Sequence, residues 1–213
     1  MKRFFVVFII AFVILIGFFQ YSRNPSNEIN YDRFNLVAPG ILRTPDERFN
    51  GIKDYPFSAN YLTIGDTRIH YLDEGPKDGK IIYLLHGEPA WSYLFRKMIP
   101  TLTEAGYRVI APDMVGFGKS DKYISIDDYS HQMHVDKMVQ LVRELDLKDV
   151  TAHLHDWGGL VGFRVIAEEP ERFSGIIASN TSLIAPGRGF FRDLLSHITV
   201  SYTHLRAHET VHY

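Results

Sequence analysis

The sequence has no cysteine among its 213 residues, which excludes disulfide bonds, thiolate catalysis and cysteine-ligated metal sites. It also has no long basic run: 23 Lys and Arg stand against 25 Asp and Glu, for a formal net charge of −2. Because nucleic-acid-binding proteins usually present clustered positive charge, no nucleic-acid partner is expected. A hydrophobic fraction of 46% is enough for a packed core and excludes a disordered chain.

One long apolar run stands at the N-terminus. Lys2 and Arg3 precede sixteen uninterrupted apolar residues, 4–19. This length lies between the core of a signal peptide and a transmembrane span of about 20 residues. Because no small-residue cleavage site follows, we expect residues 1–20 to be an uncleaved membrane anchor, with the rest exported to the periplasmic side. A cleaved signal, leaving a secreted or periplasmic protein, is the alternative. The polar residues 21–40 are expected to form a linker.

The C-terminal segment SYTHLRAHETVHY, at 201–213, has neither an apolar stripe nor turn residues tied to what precedes it. It resembles a peptide that arises when a sequencing adapter is translated as coding DNA. We therefore expect it to be non-native, and we assign no catalytic role to His204, His208 or His212. A genuine histidine-rich metal tail is the alternative.

Strand-like and helix-like runs alternate through the middle of the chain. Strands are predicted at 61–64, 68–73, 81–85, 107–112, 150–155 and 175–179, and helices at 91–105, 127–145 and 159–169. Ser125 is the predicted N-cap of the second helix. This alternation predicts an α/β fold with a mostly parallel, doubly wound sheet, in which three loops (86–91, 113–121 and 156–159) leave the carboxyl edge.

The third loop, DWGG, joins a predicted strand to a predicted helix. A sharp turn here exposes Asp156, while Gly158 and Gly159 let the helix begin close by. A carboxylate is poorly suited to acyl transfer, which would give an anhydride, but it can displace a leaving group from sp³ carbon to give an ester. The ring N–H of Trp157 is a donor that suits a departing halide. We therefore predict Asp156 as nucleophile and Trp157 as halide donor; a helix N-cap and a packing residue are the alternatives.

The first loop is expected to form the opposite wall of the site. Gly87 allows close backbone approach and Pro89 stiffens the turn. The backbone N–H groups of Glu88 and Trp157 are predicted to form an oxyanion hole for the step in which water attacks the ester.

Other polar residues near these loops are assigned structural roles. Strand alternation turns His155 away from Asp156, and His86 stands at a turn where packing is the commoner role. Asp113, with Gly116 and Gly118, is expected to shape the second loop without touching substrate.

Three stretches resemble the haloalkane dehalogenases of the α/β-hydrolase fold: HGEPAWSYLFRKMIP at 86–100, APDMVGFGKSDK at 111–122 and HDWGG at 155–159. Upstream, LRTPDERFNGIKDYPFSANYL at 42–62 is similar to the amino-terminal segment of one subgroup, so the likeness runs from about residue 40 to about 185. In that family an Asp displaces halide, and water activated by a His held by a second acid hydrolyses the ester. The resemblance implies a small haloalkane substrate, no cofactor, and the roles above for Asp156, Trp157 and Glu88.

The chain departs from the family pattern in its later part. The subgroup's second halide donor is a tryptophan of the cap domain, but the chain's two tryptophans are Trp91 and Trp157. The base histidine and its acid partner, which follow the cap, are not identifiable either. We therefore expect the N-terminal portion of the hydrolase core at 41–182, the start of the cap at 183–200, and no later strands. Such a chain is expected to be inactive, or to form the ester without releasing it.

Two other functions remain open from the sequence. Epoxide hydrolases share the HDWGG turn and the H-G-x-P turn, and they also begin with Asp attack, but they need cap tyrosines to protonate the opening oxygen. A membrane-tethered, non-enzymatic binding module with a hydrolase shell is the second.

Overall fold

The computed structural model of the protein describes residues 35–182 and 199–201. The expected anchor at 1–20, the expected linker up to residue 34, the expected cap residues 183–198 and the tail residues 202–213 lie outside this part. Within it, ten strands are present: β1 Leu36–Ala38, β2 Ile41–Leu42, β3 Asn60–Ile64, β4 Thr67–Glu74, β5 Ile81–Leu85, β6 Arg108–Pro112, β7 Lys122–Tyr123, β8 Val150–His155, β9 Phe173–Ser179 and β10 Thr199–Ser201.

Seven strands form one sheet in the order β10-β9-β8-β5-β6-β4-β3. The strands from β10 to β6 run parallel, and β4 is antiparallel to both β6 and β3. This arrangement confirms the mostly parallel α/β sheet. The two antiparallel strands were predicted as strands, and their connection through Gly65 at φ 62° is a tight hairpin that reverses the chain.

A small second sheet was not predicted. It has the order β1-β2-β7 with antiparallel pairing, and β1 lies inside the range expected to be linker. Its strands are only two or three residues long, so they carry no readable apolar alternation. The pairing of β10 with β9 was not predicted either.

Three α-helices accompany the strands in residues 35–182: α1 Met98–Glu104, α2 His131–Glu144 and α3 Trp157–Glu168. The single helix predicted over 91–105 was wrong in its first half, which is a separate 3₁₀ turn, Ser92–Phe95. Pro100 gives the physical reason. It has no N–H to continue a helix from upstream, but it is tolerated in a first turn, where α1 places it.

The second helix also begins later than predicted. Ser125 caps a separate 3₁₀ turn, Ile126–Asp128, by accepting from the Asp127 N–H at 3.2 Å. Ser130 is the N-cap of α2, where its hydroxyl oxygen accepts from the Met133 N–H at 3.0 Å. The prediction of Ser125 as the cap of this helix was therefore wrong, because extended backbone at Tyr129 separates the two turns.

The core lies on both faces of the seven-stranded sheet. Along β5, Tyr83 and Leu85 belong to the buried cluster that includes residues of α2 and α3, whereas Ile82 and Leu84 belong to the cluster that includes Ile99 of α1. This alternation follows from the two-residue period of a strand and confirms that helices cover both faces. No helix of residues 35–182 and 199–201 has the length and hydropathy to cross a bilayer.

Candidate active site

Asp156 lies at a sharp turn between β8 and α3. Its backbone has φ 54° and ψ −128°, a region that residues with a side chain rarely adopt. Gly158 and Gly159 make this turn possible: a Cβ at Gly158 would overlap backbone atoms of Leu85 and His86, and one at Gly159 would overlap Thr181. The predicted strained turn with Asp156 at its centre is therefore confirmed.

The carboxylate of Asp156 faces the first loop rather than its own helix. Its Oδ1 accepts a hydrogen bond from the Glu88 backbone N–H at 3.0 Å. Although Asp156 occupies the N-cap position of α3, its side chain makes no capping hydrogen bond, so the structure does not support the N-cap alternative. A Cβ on Gly87 would overlap this carboxylate, and only glycine therefore allows the approach.

An apolar cavity of about 230 Å³ opens beside this contact. Glu88 and Trp157 form part of its wall, and the indole of Trp157 is 49% exposed rather than packed in the core. Asp156 itself is half-buried and is not among the residues that line the cavity, but it adjoins two that are: it is bonded to the Glu88 N–H and precedes Trp157 in the chain. The remaining wall residues are Met114, Phe117, Tyr129, Ser130, His131, His134 and Val161.

His86 is fully buried below the first loop, as expected for a structural residue. Its Nδ1 lies 3.0 Å from the Gly87 carbonyl oxygen, and its Nε2 lies 3.0 Å from the Met114 backbone nitrogen. Burial lowers the pKa of His86, against a smaller opposing effect of Asp113. With both ring nitrogens engaged, His86 cannot act as a general base.

His155 is half-buried and is not part of the cavity wall, in agreement with the expected orientation away from Asp156. Its buried Nδ1 has no hydrogen-bond partner within the described residues.

Asp113 holds three segments together from a fully buried position. It accepts hydrogen bonds from the Ser92 N–H at 2.7 Å, the Lys119 N–H at 2.9 Å and the His70 ring at 2.8 Å. Burial alone would raise the pKa of Asp113, but the bond from His70, the nearby histidines and the Ser92 N–H together lower it. A histidine paired with an aspartate could serve as a catalytic base and its acid partner. Both His70 and Asp113 are fully buried, however, so neither can reach a substrate, and the pair instead holds the loops in place.

Two glycines fit the second loop to its surroundings as predicted. Gly116 has φ 94° and a Cβ there would press on the Tyr129 ring, while one on Gly118 would overlap the Asp113 carboxylate. Neither glycine belongs to the cavity wall.

Sequence reasoning missed Thr181, which braces the turn. Its hydroxyl donates to the Asp156 carbonyl oxygen at 2.7 Å. The signal was available, because Thr181 follows β9, the parallel neighbour of β8, and therefore emerges at the same sheet edge.

It also missed the first turn of α2, which contributes Ser130, His131 and His134 to the wall. Burial, with smaller effects of His86 and His131, lowers the pKa of His134 to about 4. Tyr129 precedes this turn, and its hydroxyl accepts from the Tyr123 N–H at 2.8 Å and donates to the Tyr123 carbonyl at 3.2 Å. Helices of an α/β fold begin at the carboxyl edge of the sheet, so their first turns could have been included.

In residues 35–182 no three His, Asp or Glu side chains converge as a metal site requires.

The chain matches the family model of the alpha/beta hydrolase fold over residues 80–196. It is 54% identical over 148 residues to a haloalkane dehalogenase of Psychrobacter cryohalolentis, which covers 67% of this chain and 49% of that protein. A haloalkane dehalogenase of Mycolicibacterium paratuberculosis is 56% identical over 145 residues, covering 66% and 48%. The chain thus spans about half the length of the curated relatives it matches.

Solved structures give the same picture. The tetrameric haloalkane dehalogenase DpaA from Paraglaciecola agarilytica superposes with a TM-score of 0.65 at 40% identity, covering 73% of this chain and 55% of that one. An epoxide hydrolase from Vigna radiata, VrEH1, superposes with a TM-score of 0.57 at 26% identity, covering 62% and 42%.

Proposed function

The chain belongs to the α/β-hydrolase fold family, and on this basis we propose that it carries the nucleophile and anion-binding half of a haloalkane dehalogenase. The observation that carries the proposal is the hydrogen bond from the Glu88 N–H to the Asp156 carboxylate at the edge of an apolar cavity. A carboxylate held this way keeps one oxygen fixed while the other is free to attack. The relatives named haloalkane dehalogenases support this substrate class.

In the first step, a carboxylate oxygen of Asp156 attacks the sp³ carbon that bears the halogen. The new C–O bond forms as the carbon–halogen bond breaks, and the halide leaves with the bonding electron pair. The ring N–H of Trp157 donates a hydrogen bond to this halide. The apolar cavity wall favours attack by the carboxylate, because it excludes water that would otherwise form hydrogen bonds to the attacking oxygen.

In the second step, water attacks the carbonyl carbon of the Asp156 ester. The carbonyl oxygen gains negative charge and is stabilised by the backbone N–H groups of Glu88 and Trp157. When this tetrahedral intermediate collapses, the bond from the carbonyl carbon to the alkyl oxygen breaks, the alcohol leaves with a proton and the Asp156 carboxyl group is restored. A base must take the proton of the water. His86 is blocked at both nitrogens and His70 is fully buried. Because the base histidine and its acid partner follow the cap in the dehalogenases that this chain resembles, we propose that both lie outside the described residues.

The test uses protein expressed from the complete reading frame. Incubation with 1-bromobutane is expected to release bromide and butanol, with a mass increase on Asp156 under single-turnover conditions. The Asp156→Ala variant is expected to fold and to release no bromide above background. Unchanged bromide release by this variant would exclude Asp156 as the nucleophile.

Two other functions make different predictions in the same assay. An epoxide hydrolase would convert styrene oxide to its diol, and this alternative is supported by the structural likeness to VrEH1. The hydroxyl of Tyr129, the tyrosine of the cavity wall, is already bonded to Tyr123 and does not offer the proton that ring opening needs. A non-enzymatic binding module would bind either compound and yield neither product.

We also propose that residues 1–20 hold the protein in a membrane, with the hydrolase part on the exported side. The support is the apolar run at 4–19 after Lys2 and Arg3. A reporter enzyme that is active only after export, fused behind residue 40, is expected to be active and to sediment with membranes. Activity in the soluble periplasmic or secreted fraction would indicate a cleaved signal instead, and an inactive reporter would contradict export.

A further inference from the structure

The peptide group that joins Gly87 to Glu88 is held from both sides. Its N–H donates to Asp156 Oδ1 at 3.0 Å, and its carbonyl oxygen lies 3.0 Å from Nδ1 of His86. The same carbonyl oxygen accepts from the Ala90 N–H of its own loop at 2.9 Å, so His86 is the contact that ties it to the protein below the loop. A carbonyl oxygen only accepts hydrogen bonds, so Nδ1 must carry the proton. The His86 imidazole thus contacts the carbonyl end of the same peptide group whose N–H end contacts Asp156.

The other ring nitrogen requires the same tautomer. The Met114 backbone N–H lies 3.0 Å from Nε2 of His86, and this N–H can only donate, so Nε2 must be unprotonated. Both contacts therefore specify a neutral ring with its proton on Nδ1. The ring is fully buried and packs edge-on against Phe117, at 5.2 Å between centroids, which leaves it no room to turn. Met114 and Phe117 belong to the second loop, so His86 connects that loop to the first.

We propose that His86 is a positioning residue that fixes the Gly87–Glu88 peptide plane, so that the Glu88 N–H points at the Asp156 carboxylate and the ester formed on it. Without the Nδ1–H bond, the carbonyl end of this peptide group is held only by the Ala90 N–H of the same loop, at 2.9 Å, and the peptide plane can rotate together with that loop. Rotation would turn the carbonyl oxygen toward the site where negative charge develops during ester hydrolysis. The effect on ester hydrolysis rests on the proposed function, whereas the fixed orientation of the peptide plane does not.

Two substitutions separate the two hydrogen bonds of His86. In His86→Asn, the side-chain amide nitrogen takes the place of Nδ1 and can donate to the Gly87 carbonyl. In His86→Gln, the side-chain amide reaches the place of Nε2, where its oxygen can accept from the Met114 N–H. The Gly87 carbonyl then loses its donor from outside the loop and keeps only the Ala90 N–H. The two variants remove similar amounts of buried structure, so each serves as the control for the other.

We expect His86→Gln to slow hydrolysis of the ester about 100-fold, the effect of losing one oxyanion donor, so that the alkylated protein accumulates in intact-mass spectra. Formation of the ester should change much less, because the attacking oxygen is not the one bonded to Glu88. His86→Asn should stay within about tenfold of the parent in both steps. Equal slowing of both variants, in proportion to their loss of thermal stability, would overturn the proposal.

Two measurements do not depend on activity and so separate this inference from the proposed function. In the parent protein, ¹⁵N spectra of His86 are expected to show the Nδ1-protonated neutral tautomer; the Nε2-protonated form would overturn the proposal whether or not the variants fold. Hydrogen exchange of the Glu88 amide should be at least tenfold faster in His86→Gln than in His86→Asn. Equal exchange rates in two folded variants would also overturn it. A protein that satisfies both measurements but releases no halide would disprove the proposed function alone.

Discussion

The backbone N–H of Glu88 and the carboxylate of Asp156 are 68 positions apart in the sequence and are joined by a hydrogen bond of 3.0 Å. The sheet makes this contact possible. β5 and β8 are parallel neighbours, with Leu85 opposite Leu154, so the loops that follow them leave the same edge side by side. The residues that we propose as nucleophile and first oxyanion donor are therefore brought together by strand order rather than by sequence proximity.

Gly87→Ala is expected to abolish most of the activity without unfolding the protein. A Cβ at this position would overlap the Asp156 carboxylate, so either the first loop or the Asp156 side chain must move by more than an ångström. A shift of this size in a reacting group lowers kcat by about 100-fold or more. Single-turnover halide release and thermal unfolding measure the two effects separately.

Gly175→Ala is the matched control, because Gly175 lies in a strand and a Cβ there would come no closer than 3.2 Å to Thr151. Its activity should stay within about threefold of the parent. If the two alanine variants released halide at the same rate, the close approach of Gly87 to Asp156 would have no catalytic meaning.

Trp157→Phe is expected to slow the first step. The substitution keeps an aromatic ring in the cavity wall but removes the indole N–H that we propose as halide donor. Loss of one donor aimed at a developing charge costs about 3 kcal/mol of barrier, which is a fall in rate of 100-fold or more. Stability should change little, since the side chain is 49% exposed.

Trp91→Phe is the comparison, because it also removes an indole N–H. Trp91 stacks on Tyr93 at 5.6 Å between centroids and is not part of the cavity wall. We expect it to lower stability and leave halide release nearly unchanged. A rate loss equal to that of Trp157→Phe would show that the donor role is assigned to the wrong tryptophan or to neither.

The parts of this fold that the sequence predicts are those with strong local patterns. β5 and β8 were predicted with their observed bounds, because each is a short run rich in apolar residues between turn residues. The turn at Asp156 was predicted because Gly158 and Gly159 have no side chains and so let a helix begin close to the end of the strand.

What the sequence could not predict depends on contacts between distant segments. The sequence indicates that the end of β9 and the start of α2 lie at the same sheet edge as Asp156, but it does not specify the bond from Thr181 to the Asp156 carbonyl or the place of His134 in the cavity wall. The cap of α2 was misassigned because Ser125 and Ser130 both suit the role, and only the extended backbone at Tyr129 decides between them. The pair of β2 with β7 depends on residues too few to carry a pattern.

The free energy of unfolding is expected to fall as the pH drops from neutral toward 4, in part because of His134. Burial lowers the pKa of His134 to about 4 in the folded protein, whereas an unfolded histidine has a pKa of about 6.5. Between these values the unfolded chain binds a proton that the folded protein does not, so stability present above pH 6.5 is lost as the pH falls. His86 and His153, whose pKa values burial also lowers, act in the same direction.

His134→Gln should therefore lose less stability than the parent between pH 7.5 and 4.5. Allowing for the partial exposure of the ring, the difference is on the order of 2 kcal/mol. Denaturant unfolding at the two pH values measures it, with His131→Gln, whose side chain is exposed, as the control. Identical pH dependence of the parent and His134→Gln would exclude His134 as a contributor.

Arg43→Ala is expected to destabilise the protein because it leaves the buried carboxylate of Asp121 without its arginine partner. Nε and Nη2 of Arg43 each donate to the carboxylate of Asp121 at 2.8 Å, and the Arg68 N–H donates to the same carboxylate at 2.8 Å. The Asp121 side chain is 1% exposed, so removing its cation leaves a buried charge without compensation. Such a loss lowers the free energy of unfolding by about 3 kcal/mol. Lys148→Ala is the control, because its partner Asp146 is 63% exposed and a solvent-exposed ion pair contributes little to stability.

A double-mutant cycle shows whether the charge of Asp121 is the cause. If it is, Asp121→Asn in the Arg43→Ala background should restore part of the lost stability, because the neutral amide needs no cation and can still accept from the Arg68 N–H. Denaturant midpoints of the parent, both single variants and the double variant supply the coupling energy, which should exceed about 1 kcal/mol. Additive effects would mean that Arg43 stabilises the protein through its packing beside β2 rather than through Asp121, and the buried ion pair would then have no special part in joining that strand to the second loop.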